Sequence, residues 1–538
     1  MLNFDAIRKD LSLIVVTALS FAATSSSLHG DVGGQMEMTV DDCITRALEQ
    51  NLGRITRQME LEISDWNVKR EWAAFEPSLV GSARDEENSR QNTVEQFRNQ
   101  LTSFFEEENK RYDLGVEGQF FSGARYRLGY SLNDLANNLT NSVVTDPFEN
   151  EYQSFLGATI TQPLLQGGGM ANAMAGVDLA RAQKGMEFQN LRREMMGVAA
   201  QTAAAYWDLA SAEELLKVRG NSAEIAEKIL EDNRARNKQG KMSEVEVMQA
   251  EVSLADRLTR KNEAKQQRIQ AMSRLRIMFS DEMMDGEGEI TTKGVPEINS
   301  FPYEFAEAME LATRLQPDYL VQLEDIKQNG IKLAYAKNQR WPQLDLIASY
   351  GFNGLGESVS DSWDEVTGQD YEAWSVGVQF SIGLGGGRKE RSEYMAAQLR
   401  HKQSLSKLKE VEVAISRNLQ SGIQECQSLM ENIKNISHIV DVRKRLLDVE
   451  MERLNAGRSD SRSVFSIEED YLQAKEAYAN SVNEFQKAIL RLELSSGITL
   501  VKQDLDLIPK EQITKVDSSE IVDRDFSKPL PISQRNQE

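Results

Sequence analysis

The chain has 538 residues and a net charge of −22, so it has no basic excess with which to release counterions from a nucleic-acid backbone, and nucleic acid is excluded as a partner. Charged residues make up 27% and there are only 10 prolines, a composition of long helices rather than of a proline-punctuated fold. Two cysteines, Cys43 and Cys426, and three histidines, His29, His401 and His438, are scattered, so the sequence offers no metal site, no cofactor site and no catalytic constellation.

The N-terminus carries an export pattern over residues 1–27. Arg8 and Lys9 precede the apolar run LSLIVVTALSFAA, and small residues around Ala22–Ser27 supply a cleavage zone. The run is too short for a comfortable membrane-spanning helix, and no other apolar run approaches that length. A β-barrel leaves no such hydropathy peak, so the mature chain is periplasmic, secreted or a barrel.

From there the chain is written twice. ALEQNLG at 47–53 and ATRLQPD at 312–318 each open a helical stretch that runs to a proline, Pro77 in FEPSL and Pro342 in RWPQL, at the same offset. RNKQGKMSEVEVMQAE from Arg236 and RLNAGRSDSRSVFSIE from Arg453 match again without a gap. Each half reads as helix pair (38–76 and 301–341), strand segment (77–166 and 342–386), Gly-rich corner and long helical hairpin (167–280 and 387–497). After about Leu500 the sequence is charged, proline-bearing and aperiodic, a tail over 500–538.

The strand segments alternate with period two. Trp374, Val376, Val378, Phe380, Ile382 and Leu384 share one face, and Ser375, Gly377, Gln379, Ser381 and Gly383 share the other. Residues 343–352 repeat the pattern, with Ile347 the exception. One apolar and one small polar face suit a membrane barrel; an ordinary hairpin on a soluble core is the other reading. In the helical segments, steps of three and four from Ile415 through Leu419, Cys426, Leu429, Ile433, Ile436, Val440 and Leu447 to Leu454 give a coiled-coil seam.

The first strand segment is the longer. Tyr112, Leu114, Val116 and Phe120 oppose Asp113, Glu117 and Gln119, and Tyr126, Leu128, Tyr130 and Leu132 oppose Arg125, Arg127, Gly129 and Ser131. Ser122-Gly123 between them predicts a tight turn, and the polar stretches 85–110 and 133–151 predict long outer loops. The two expectations are an added hairpin within the barrel, giving six strands per chain, or a hairpin folded over the outer mouth, leaving four.

TVDDCITRALEQN, the corner TQPLLQGGG, the strand WSVGVQFSIGLGGGR and the paired loops around Gly240 and Gly457 together resemble the TolC family of outer membrane efflux proteins, over roughly residues 38–500. The resemblance implies a mainly α fold with β: a homotrimer sharing one outer-membrane β-barrel, continuous with a long α-helical barrel in the periplasm. It implies a passive export conduit of a tripartite efflux or type I secretion system, surrounded by outer membrane lipid and serving a periplasmic adaptor and an inner-membrane transporter. Pro163, Gly167, Gly168, Gly383 and Gly386 then correspond to barrel-to-helix linkers, with Gly383 where a proline is usual. The adaptor-facing tip loops correspond to Gly240, Lys241 and Ser243 and to Gly457, Arg458 and Ser459. Around the closed entrance, Ser463 and Ser466 stand where some members carry acids. Glu246 keeps an acid in the first half, and a contact from Glu246 to Arg458 or Arg462 is expected there. The competing readings are a non-pore periplasmic or surface coiled-coil scaffold, which leaves the strands and corners unexplained, and an enzyme, for which no catalytic cluster appears.

Overall fold

The computed structural model describes residues 36–93, 104–137, 151–279, 289–294, 303–456 and 458–503. The export pattern at 1–27, the tail beyond residue 503 and Gly457 lie outside the described residues. In chain order the elements are β1 (Met36–Met38), α1 (Val40–Gln50), α2 (Leu52–Trp72), β2 (Ser78–Gln91), β3 (Phe104–Gln119), β4 (Arg125–Asn137), β5 (Glu151–Pro163), the single turn α3 (Met170–Ala173), α4 (Ala175–Lys238) and α5 (Glu244–Met278). There follow β6 (Ile290–Thr292), α6 (Phe305–Leu315), α7 (Pro317–Asn338), β7 (Gln343–Gly356), α8 (Val359–Gly368), β8 (Glu372–Ser381), α9 (Arg388–Asn455) and α10 (Ser461–Ser496). Among the described residues no helix is long and apolar enough to cross a membrane.

The chain divides into two units, one formed by Asn51–Ala200, Ser300–Ser428 and Ala488–Glu538, the other by Met1–Gln50, Gln201–Asn299 and Leu429–Lys487. The first unit holds a six-stranded antiparallel sheet in the order β2-β3-β4-β5-β7-β8. The Tyr112–Leu132 hairpin is therefore part of the sheet: β3 pairs β2 on one side and β4 on the other, with Leu114 opposite Gly81 and Tyr130. Its turn closes as Ser122-Gly123 demands. Gly123 has φ 88°, its N–H donates to Phe120 O at 2.9 Å, and Phe120 N–H donates to Ala124 O at 2.7 Å.

Several strand boundaries differ from the sequence reading, and β4 runs on through 133–137, the start of the stretch expected to be an outer loop. β2 and β3 continue through residues 85–91 and 104–110, which composition marks as loop. The backbone ladder carries that extension, and charged side chains decorate it, with Arg111 3.9 Å from Glu86 across the strands and Lys110 3.0 Å from Glu108 along β3. At the other end β8 stops at Ser381, so Ile382 and Leu384 belong to the corner rather than to the strand face.

Helices of this unit pack Tyr319, Leu320, Leu323 and Ile326 of α7 against Leu408, Ile415 and Leu419 of α9 and Leu492 of α10. The α6–α7 elbow follows from LQPDY: Pro317 is tolerated in the first turn of α7, and the Gln316 side chain caps it by accepting from Tyr319 N at 2.8 Å. Gly497 meets this elbow at φ 80°, where a Cβ would lie 2.7 Å from Gln316 N.

In the second unit β1 and β6 form a parallel pair, Met36 opposite Ile290, which no alternation announces because each strand has three residues. The Tyr206 hydroxyl ties both strand ends, donating to Met38 O at 3.1 Å and accepting from Lys293 N at 3.2 Å. Thr39 and Asp42 cap α1 reciprocally, at 3.0 and 3.2 Å, and that bonding holds the Asp42 carboxyl below its ordinary pKa. Behind the cap Cys43 is buried, and loss of solvation pushes its thiol up to about 12, so it stays an inert apolar filler at neutral pH.

Candidate functional site

The sheet has two chemically opposite faces. Because directly paired residues share a face, the register joins Leu79, Leu114, Val116, Leu128, Tyr130, Leu156, Ala158, Tyr350, Phe352, Trp374, Val376, Val378 and Phe380 on one side. Several of these are strongly exposed, Leu79 at 73%, Trp374 at 70% and Val376 at 65%. The other side carries Ser82, Asp113, Glu117, Arg125, Arg127, Ser131, Thr159, Ser349, Ser375 and Gln379. Arg127 and Asp113 form an ion pair there. An exposed apolar belt backed by a polar face is the pattern of a barrel wall between lipid and water.

The first corner is built around one side chain from the second repeat. Asn338, at the end of α7, accepts from Gly167 N at 2.8 Å and donates to Leu165 O at 3.2 Å and Gly168 O at 3.4 Å. Leu164 N–H extends the β5–β7 pairing by donating to Leu344 O at 2.8 Å. Gly167 and Gly169 take φ of 81° and 92°, and a Cβ on Gly168 would lie 2.5 Å from Pro163 O, so the glycines permit a turn that side chains would not. The second corner has Gly386 and Gly387 at φ 72° and 62°, and nothing lies within 4 Å of where a Cβ on Gly383, Gly385 or Gly386 would stand. Aligning the two glycine triplets puts Ser381, the last residue of β8, opposite Pro163 and Gly383 opposite Leu165.

At the far ends of the long helices the two hairpin turns repeat each other. Gly240 has φ 71°, and Lys241 N–H donates to Arg236 O at 3.0 Å; at the corresponding place Arg458 N–H donates to Arg453 O at 2.8 Å. The first is a left-handed helix C-cap. Ser243 then starts α5. Its hydroxyl accepts from Glu246 N at 3.3 Å, while Glu246 Oε2 accepts from Ser243 N at 2.9 Å. Glu246 is thus occupied in a capping box within one chain.

Asp460 does the same work for α10, accepting from Ser463 N at 2.7 Å, and these hydrogen bonds lower its pKa. We predict that Asp460→Ala costs this turn about 1 kcal/mol, a usual price for an N-cap. Since the folded pKa is depressed, the cap contributes fully above the ordinary carboxylate value of 3.8 and is lost as pH falls through the folded value. Amide hydrogen exchange of residues 461–465 should rise in the variant at pH 7 and converge with the parent in acid.

Ser466 is exposed and Ser463 half-buried, and the acid that matters nearby is one the sequence reading missed. Glu468, 1% exposed, receives Arg257 Nη2 at 2.7 Å and Nε at 3.2 Å, and Arg257 also lies 4.5 Å over the Phe465 ring. Beside them Arg260 pairs with Glu469, and Arg219 with Glu469 and Glu476. A groove of about 660 Å³ opens at the same tip, with Met242, Val245, Met248 and Val252 on one wall and Arg462 and Phe465 on the other. Val245, Met248 and Val252 are more than half exposed.

The sequence profile of the family described as outer membrane efflux protein matches residues 125–279 and 326–497, one segment in each repeat. The chain belongs to that family. It is an outer membrane efflux channel that extends into the periplasm. No curated protein matches the chain. Among solved structures, the CmeC outer membrane channel of Campylobacter jejuni is 14% identical over 96% of this chain and 96% of that one, with a TM-score of 0.58. The outer-membrane channel OprN is 14% identical over 85% and 89%, with a TM-score of 0.61. The open state of the MtrE outer membrane channel of Neisseria gonorrhoeae gives 14%, 85%, 88% and 0.58. The profile match begins at Arg125, the first residue of β4, so β2 and β3 lie ahead of it.

Proposed function

We propose that three copies of the chain close one barrel of eighteen strands, and that the resulting passive conduit receives cargo from an inner-membrane transporter through a periplasmic adaptor. The observation that carries the trimer is the sheet itself: six strands with β2 and β8 unpaired at its edges. Open edges in a membrane leave backbone groups unsatisfied, and cyclic association removes them. Six strands rather than four per copy also widen the pore. The exposed Val245, Met248 and Val252 stripe beside Gly240, Lys241, Arg458 and Ser459 supports adaptor docking at the tip.

The internal repeat gives the seam a register. Thr161 of β5 pairs with Ile347 of β7. Their counterparts in the other repeat, by the glycine triplets and by Pro77 and Pro342, are Gln379 of β8 and Ser82 of β2. Cysteines at Ser82 and Gln379 should therefore oxidise to disulfide-linked dimers and trimers on a denaturing gel, with each single variant staying monomeric. A double variant that yields only monomers, while retaining channel conductance in planar bilayers, would sink the shared barrel.

A further inference from the structure

Helix α8 joins β7 to β8, and it does not stand free as a loop would. Ser362 and Val366, four residues apart and so on one side of the helix, are 0% and 1% exposed against β5 and β7. The Ser362 hydroxyl donates to Ser154 Oγ at 2.5 Å, and Ser154 in turn donates to Ser362 O at 3.0 Å. Gly354 is what lets the helix in: a Cβ there would collide with Ser362 O, Ser154 Oγ and Val366 Cγ2. Ser154 and Gly354 are directly paired, and they continue the row in which Leu156 pairs with Phe352 and Ala158 with Tyr350. So α8 lies on the apolar face of the sheet, at the end of the belt remote from the corners, and not on the polar face.

Its orientation on that face is also fixed. Val359 and Trp363 line one flank, both exposed, and the Trp363 ring meets Tyr130 edge-on at 5.0 Å. Tyr130 pairs with Leu156, one row further into the belt than Ser154. The other flank carries Asp361 and Glu365. A Cβ on Gly356 would lie 2.8 Å from Asp361 Cβ, and Glu365 accepts from Leu355 N; both Leu355 and Gly356 lie beyond Gly354, away from the belt. The helix therefore turns an aromatic, apolar flank toward the belt and an acidic flank away from it.

We propose that α8 is an interfacial helix seated in the outer leaflet of the outer membrane, with Val359 and Trp363 among the first acyl carbons and Asp361 and Asp364 in the headgroup layer. The occupant of its apolar flank is lipid. That flank is continuous with the lipid-facing belt through Tyr130, and Tyr112, Tyr130 and Trp363 give the outer rim the aromatic girdle that barrels place at this depth. A helix with its polar and apolar sides separated in this sense lies in the plane of the interface.

The inference rests on the apolar face of the sheet being the lipid face, and the test separates the two. Cysteines are placed singly at Val359, Asp364 and Val376 of the full chain, labelled with the fluorophore NBD, and the trimer is reconstituted in phosphatidylcholine vesicles with or without brominated acyl chains. The buried native thiols Cys43 and Cys426 stay unlabelled. Brominated lipid is expected to cause a large loss of emission at 376 and a clear loss at 359, with little change at 364. A loss at 376 with none at 359 would overturn the proposal and leave α8 in water or against another protein. No loss at 376 would overturn the orientation of the sheet, and the proposal with it.

Discussion

Replacing Arg257 with leucine should destabilise the second unit by about 3–5 kcal/mol, the range for removing one partner of a buried ion pair. Glu468 is 1% exposed and Arg257 7%, so the surviving carboxylate would have no water to turn to. One of its oxygens, Oε1, already lacks a hydrogen-bond partner among the described residues, which leaves Arg257 to satisfy the other. Arg57 and Glu60, by contrast, are an exposed pair within one helix, and breaking it should change stability by less than about 1 kcal/mol. Loss of helical circular dichroism on heating the detergent-solubilised protein gives the comparison. Arg257→Leu should fall well below the parent, and Arg257→Leu with Glu468→Leu should recover most of the loss, because an apolar pair of similar volume is often neutral or stabilising in such a place. The ranking should persist in high salt, since buried charges are poorly screened. Equal losses in the single and double variants would show that side-chain packing, not the orphaned charge, sets the cost.

Arg257 also shows what the sequence does and does not reveal. On α5 the buried positions Ala250, Arg257, Ala264 and Ala271 recur every seven residues, so an arginine in an alanine seam was visible in the sequence as a charge in need of a partner. What no spacing could supply was that the partner is Glu468, two positions beyond the Ser466 that family likeness singles out. Glu246 is the converse case. Ser243 and Glu246 spell a capping box in the sequence itself, and the local, reciprocal bonds form as that spacing predicts. The strands were legible wherever lipid and water impose period two, as from Trp374 to Phe380. They were not legible in residues 85–91 and 104–110, where the β2–β3 backbone ladder runs on through polar and charged residues that composition disguises as loop. Helix α8 was hidden for a similar reason: ESVSDSWDEVTGQ reads as a polar loop until Gly354 is seen to open a seat for Ser362 and Val366.

The largest expected effect on the pore comes from a row of residues without side chains. The register places Val80, Gly115, Gly129, Gly157, Gly351 and Ala373 in one line across all six strands, on the polar face. Glycine weakens a strand by roughly 0.5–1 kcal/mol relative to alanine, so four in register demand a reason. The reason is space. A Cβ on Gly351 would lie 2.5 Å from Leu156 O and 2.6 Å from both Gly157 Cα and Phe155 Cζ; one on Gly157 would lie 2.5 Å from Phe155 Cζ. The Phe155 ring thus lies flat over Gly157 and Gly351, and Arg127 Nε stands 3.5 Å from the Cβ position of Gly115. Both side chains hug the wall because the four glycines have no Cβ atoms to push them into the lumen. Gly351→Val should raise Phe155 into the channel and force β5 from β7, lowering single-channel conductance and destabilising the barrel by about 1–3 kcal/mol or more. Adding Phe155→Ala to Gly351→Val should restore conductance but not heat resistance, because the ring is gone while Leu156 O stays in place. If Gly351→Val conducts like the parent, Phe155 does not lie where the register puts it.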